Sequence, residues 1–104
     1  MQFTLVDKIK AKIRGTIDLD QLKKDGFKHG KNFDTQYGVI IDPGHCWLIE
    51  VGDNVTLAPH VHILAHDASM KKFLGYTKLA PVKIGNNVFI GAGSIILPGV
   101  TDYW

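Results

Sequence analysis

The chain has 104 residues, 45% hydrophobic and 21% charged, the size and composition of one globular domain whose modest core makes oligomerisation an expectation. A net charge of +2, with lysines interleaved among acidic residues, is too weak for a nucleic-acid footprint, and the single cysteine, Cys46, excludes an intrachain disulfide or a cysteine zinc cluster. No apolar run is long enough to span a bilayer or resembles a signal-peptide core, so membrane insertion is not expected and a reducing, cytoplasmic location is.

From Thr4 to Arg14, Leu5, Ile9 and Ile13 recur at four-residue spacing between a Thr4/Asp7 cap pair and Gly15, which predicts a short amphipathic helix. A second helix is predicted to start near Asp18 or Asp20, to carry Leu19 and Leu22 on one face, and to stop at Gly26. Residues 1–26 are thus expected to form an N-terminal helical cap. The following segment, Phe33 to Glu50, alternates Val39, Ile41, Trp47 and Ile49 but fits no clean repeat, and is expected to form an irregular first coil.

A six-residue repeat follows. Val51-Gly-Asp-Asn-Val-Thr and Leu57-Ala-Pro-His-Val-His lead into Ile63, and three more hexads begin at Ile84, Ile90 and Ile96. The first position is aliphatic and the fifth is valine or serine. Three hexads make one triangular coil: the first position points into the prism, the fifth sits near a corner, and glycine or asparagine takes the turn because both tolerate positive φ. Residues 27–104 are therefore expected to form an all-β solenoid, a left-handed parallel β-helix of about three coils within a single domain. Ile63 and Ile84 are 21 residues apart, not a multiple of six, so a loop must leave the helix over about residues 67–79.

Five histidines occur, at 29, 45, 60, 62 and 66, and four of them cluster where the first coils meet the loop. His29, next to the cap, reads as structural. His60 and His62 flank the inward Val61 and are expected to point outward. His66 stands where the strand leaves the coil, held by a rigid scaffold beside a cleft, with no serine or cysteine nucleophile in an obvious constellation. That setting suits a base that deprotonates a bound hydroxyl.

The stretch Val51 to Asp67, followed by Val82 to Thr101, closely resembles the hexapeptide-repeat acetyltransferases, with maltose and galactoside O-acetyltransferases and polysaccharide acetyltransferases nearest. The resemblance implies transfer of acetyl from acetyl-CoA, without a metal, to a hydroxyl of a sugar-like acceptor. It also implies a homotrimer with the active site between adjacent subunits. Carried over by position, the general base is His66, and an acceptor-binding acidic residue in the upstream coil points to Asp42, with His45 nearby. Phe89 stands where relatives often carry tryptophan. Gly91, Ala92 and Gly93 would let the pantetheine arm of CoA approach, unless they only make turns. Lys71 and Lys72 would meet the CoA phosphates, unless they are only solvated.

After Thr101 the chain departs from the family, which usually continues with further coils; it reads as C-terminally truncated, with Tyr103 and Trp104 expected to cover the open edge. Two other readings stay open. One is a non-catalytic β-helix, either a truncated remnant or a self-associating scaffold. The other is a metal-dependent hydratase resembling the γ-class carbonic anhydrases, for which His60 and His62 would be candidates.

Overall fold

The computed structural model describes residues 17–69 and 71–102. The helix expected over Thr4 to Arg14 and the edge-covering residues Tyr103 and Trp104 lie outside the described residues. The first described element, α1 (Leu19–Lys24), opens on Asp18, whose carboxylate accepts from the Gln21 N–H at 3.2 Å. It closes in a Schellman turn: Phe27 N–H donates to Leu22 O at 2.9 Å and Gly26 N–H to Lys23 O at 3.1 Å. Gly26 has φ 101°, and a Cβ there would meet Trp47 Cβ at 2.7 Å, so backbone and packing both require glycine. The turn sends Leu22 and Phe27 into the core.

The strands are short. In chain order they are β1 (Lys28–His29), β2 (Asp34–Thr35), β3 (Ile40–Ile41), β4 (Ile49–Val51), β5 (Thr56–Leu57) and β6 (His62–Ile63). The loop carries β7 (His66–Asp67), helix α2 (Lys71–Leu74) and β8 (Lys78–Leu79); the coil then resumes with β9 (Val82–Ile84), β10 (Phe89–Ile90), β11 (Ile95–Ile96) and β12 (Thr101–Asp102). They form three parallel sheets, in the orders β1-β4-β9-β12, β2-β5-β10 and β3-β6-β11, plus the antiparallel pair β7-β8. Each turn of chain visits the three sheets in succession, which is a left-handed parallel β-helix of three coils and the start of a fourth.

The first coil is more regular than its sequence suggests. Lys28, Asp34 and Ile40 pair with Glu50, Thr56 and His62, so the six-residue step already runs from Lys28 onward. The step was hidden because its inward first positions are His29 and Thr35 instead of aliphatic residues, with only Ile41 keeping the rule. Irregularity is confined to residues 43–48, which end in a 3₁₀ turn at Cys46–Leu48.

Coil-to-coil registers locate every interruption. Lys83 pairs with Thr101, an offset of 18 residues and therefore three uninterrupted hexads. The first two coils are offset by 22 residues and the next two by 33. The extra four residues fall within the Pro43–Leu48 turn and the extra fifteen are the loop. Both insertions fall at one corner, between the third sheet and the first.

The other corners are regular. At the corner between the first and second sheets, Asn32, Asn54 and Asn87 all adopt left-handed backbone (φ 54°, 57° and 59°). Their side chains bond in a ladder, Asn32 Nδ2 to Asn54 Oδ1 at 2.8 Å and Asn54 Nδ2 to Asn87 Oδ1 at 3.0 Å. At the next corner Gly38, His60 and Gly93 occupy the equivalent left-handed position. Inside the prism, Val55, Leu57, Val61, Ile63 and Ala65 are fully buried, stacked on Val39 and Ile41 below and on Ile84, Val88 and Ile90 above. Burying one such aliphatic side chain is worth about 1.5–3 kcal/mol, which the six-residue period repeats coil after coil. No helix among the described residues is long and apolar enough to cross a membrane.

Candidate functional site

The interrupted corner gathers three of the side chains singled out from sequence. Asp42 follows β3 directly, His45 lies in the four-residue insertion, and His66 opens the loop as the first residue of β7. The coil register does the gathering: Ile41 pairs with Ile63, so the residue after β3 comes alongside the residues just past β6.

Asp42 is 1% exposed, a buried carboxylate in an otherwise aliphatic interior. Its Oδ2 accepts from the Ala65 N–H at 3.0 Å and from His66 Nδ1 at 2.5 Å, and its Oδ1 accepts from the Gly44 N–H at 3.2 Å. A carboxylate can only accept, so Nδ1 is the donor, and in the neutral ring this leaves Nε2 with its lone pair. Burial on its own would raise the Asp42 pKa, but the hydrogen bonds from His66 and Ala65 and the nearby imidazoles more than offset it and hold the carboxyl below its ordinary range.

His45 Nδ1 lies 3.5 Å from Asp42 Oδ1, long for a hydrogen bond, and this buried nitrogen has no hydrogen-bond partner. The His45 and His66 rings lie with centroids 4.9 Å apart, tilted by 42°. Their side chains are 32% and 39% exposed, so the buried carboxylate carries two imidazoles that both reach solvent.

The loop is anchored at its base. His66 pairs with Leu79 and Asp67 with Lys78, and Ala80 N–H donates to Ala65 O at 3.2 Å. Asp67 Oδ1 accepts from the Ser69 N–H at 2.8 Å, which starts the turn away from the coil and lowers the Asp67 pKa. Beyond it Lys71, Lys72, Phe73, Leu74 and Tyr76 are all exposed.

Of the residues expected at CoA, Lys71 and Lys72 lie on this loop, whereas Phe89, Gly91, Ala92 and Gly93 do not share its corner. Phe89 is exposed on the outer face of the second sheet, and Gly91, Ala92 and Gly93 turn the corner between the second and third sheets. Gly93 has φ 75°, a backbone that favours glycine although His60 adopts it one coil below, and a Cβ on Gly91 would meet no atom within 4 Å, so packing within the chain does not demand glycine at 91. His60 is exposed at the left-handed corner with Tyr37 edge-on to its ring at 5.2 Å, and His62 lies on the outer face of the third sheet; neither joins the Asp42 cluster. His29 packs between Phe27 and Phe33, with its Nδ1 bonded to Gly30 O at 2.8 Å.

What sequence reasoning missed is the direct bond between Asp42 and His66. The residues are 24 positions apart, and the contact becomes visible only when the first coil is put in register with the second.

This arrangement defines a class, a hexapeptide-repeat β-helix with a histidine–carboxylate pair at the root of its loop. The chain is similar, over part of its length, to members of the hexapeptide-repeat acetyltransferases. It is 35% identical over 83 residues to galactoside O-acetyltransferase of Escherichia coli K12, covering 69% of this chain and 36% of that protein. It is 44% identical over 59 residues to protein CapG of Staphylococcus aureus (53% and 34%), and 39% identical over 56 residues to nodulation protein L of Rhizobium meliloti (51% and 31%). The chain spans about a third of the length of these curated relatives. No family model and no solved structure matches it.

Proposed function

We propose that the chain is the acetyl-transferring β-helix of an O-acetyltransferase that uses acetyl-CoA and a sugar-like hydroxyl acceptor. The observation that carries this reading is the Asp42–His66 contact at the root of the loop. His66 Nε2 takes the proton of the acceptor hydroxyl as its oxygen attacks the thioester carbonyl, and returns that proton to the departing CoA sulfur. Asp42, too buried to meet an acceptor, holds the Nδ1–H tautomer and offsets the positive charge that forms on the ring. His45, beside it and half-exposed, is the acceptor-side contact.

Phe89, Gly91, Ala92 and Gly93 lie at a different corner from His66, so the site is completed by a second copy that brings these residues against the first copy's loop, with Lys71 and Lys72 meeting the CoA phosphates. Three copies around an axis give each loop one such neighbour. The apolar residues that this chain leaves exposed, among them Ile40 and Ile95 on the third sheet and Phe73, Leu74 and Tyr76 on the loop, support burial against other copies.

The test follows CoA release from acetyl-CoA in the presence of galactosides and related sugars. The parent chain turns over and His66→Ala is slower by about 10²–10⁴-fold, the usual worth of a positioned base. Equal rates in the two would remove His66 from the chemistry, and failure to bind CoA at all would favour the non-catalytic scaffold.

A further inference from the structure

We propose that Asp42, His45 and His66 together form a binding site for a divalent transition-metal ion of the zinc class. Two imidazoles and a carboxylate are donors that such ions take, and one donor atom from each of the three residues lies within 4.8 Å of the others. Among the described residues no other group of three does this.

The separations point to a shared ligand. Donors bonded to one tetrahedral zinc at about 2.0–2.1 Å stand about 3.4 Å from one another. His45 Nδ1 and Asp42 Oδ1 are 3.5 Å apart, long for a hydrogen bond and close to that spacing. The same Nδ1 is buried with no hydrogen-bond partner, an unfavourable condition that a metal would relieve.

The surroundings fit as well. Asp42 is held from behind by the Gly44 and Ala65 N–H groups, the outer-shell support that fixes a ligating carboxylate. Both histidines are partly exposed, which gives the ion a route in and a solvent-facing position for a fourth ligand. Zinc and the proton shared by Asp42 and His66 compete for one place. Metal occupancy therefore switches off the base, a consequence that rests on the acetyl-transfer reading, whereas the binding itself does not.

The experiment is a titration of the purified chain with Co²⁺ alone, read by visible absorption, and then with Zn²⁺. One equivalent of Co²⁺ gives a tetrahedral-type band that Zn²⁺ bleaches; Asp42→Asn and His45→Ala weaken binding by about tenfold or more, while His60→Ala titrates like the parent. Absence of a band, or an unchanged titration in His45→Ala, overturns the site. Acetyl transfer is then followed against Zn²⁺: inhibition with the midpoint of the binding curve, reversed by chelator, supports the site as a switch. Cobalt binding at these residues beside undiminished acetyl transfer overturns His66 as the base and leaves the metal site standing.

Discussion

Asp42 Oδ2 lies 2.5 Å from His66 Nδ1, joining the end of one coil to the first residue of the loop that leaves the next. The carboxylate is the buried partner and the imidazole the exposed one, so the pair works as a fixed acceptor holding a solvent-facing ring. Replacing Asp42 with asparagine preserves volume but removes the charge and can present an amide N–H to Nδ1. We expect kcat for acetyl transfer to fall by about 10²-fold or more with little change in CoA affinity, read by steady-state kinetics and calorimetry.

The same carboxylate makes stability depend on pH. Its folded pKa is depressed below the unfolded value of 3.8, so its ionised form contributes stability above that value and loses it as pH falls through the folded one. Asp42→Ala leaves the buried Ala65 N–H without its acceptor and should cost about 1–3 kcal/mol at neutral pH. Denaturant titrations should show the gap between parent and Asp42→Ala narrowing as pH drops below 3.8. A gap that widens there would contradict the sign.

Asn54 is the middle rung of the asparagine ladder and has φ 57°. Asn54→Gly keeps the backbone free to turn and removes two side-chain hydrogen bonds, at about 1–2 kcal/mol. Asn54→Ala adds the left-handed strain of a residue with Cβ, about 1–2 kcal/mol more. Urea denaturation of the two variants therefore separates ladder from turn, alanine being the worse.

Inside and outside of the prism should respond differently to the same truncation. Ile63 is fully buried and Ile95, on the strand stacked next to it, is 60% exposed. Ile63→Ala should cost about 2–5 kcal/mol of folding stability. Ile95→Ala should cost within about 0.5 kcal/mol in the isolated chain. If sedimentation shows that Ile95→Ala shifts the chain toward lower mass, the third sheet is the face on which copies meet.

Most of the fold was legible because the six-residue period is a direct image of the coil: Ile84 and Ile90, with Val55 and Val61, occupy the buried positions that the hexads dictate. The first coil was not, since His29 and Thr35 stand where aliphatic residues set the register elsewhere, and an aromatic cluster of Phe27, His29 and Phe33 fills that level instead. His66 and Asp42 were each visible singly, one from its place at the loop and the other through the family resemblance. Their bond was not, because it depends on a register that begins in the illegible coil. The unpartnered Nδ1 of His45 left no trace in the sequence at all, being a matter of ring orientation.

The two insertions share a corner, and this separates what the molecule can vary from what it must keep. Strand pairing on either side of that corner resumes in step whether four or fifteen residues intervene, so the stack of coils is indifferent to the length of chain spliced there. A different loop after Ala65 could be carried on the same prism, with new partners for the ring of His66, while Asp42 stays anchored to the Gly44 and Ala65 N–H groups that precede it. The scaffold thus acts as a socket that accepts spliced segments of different length at one corner.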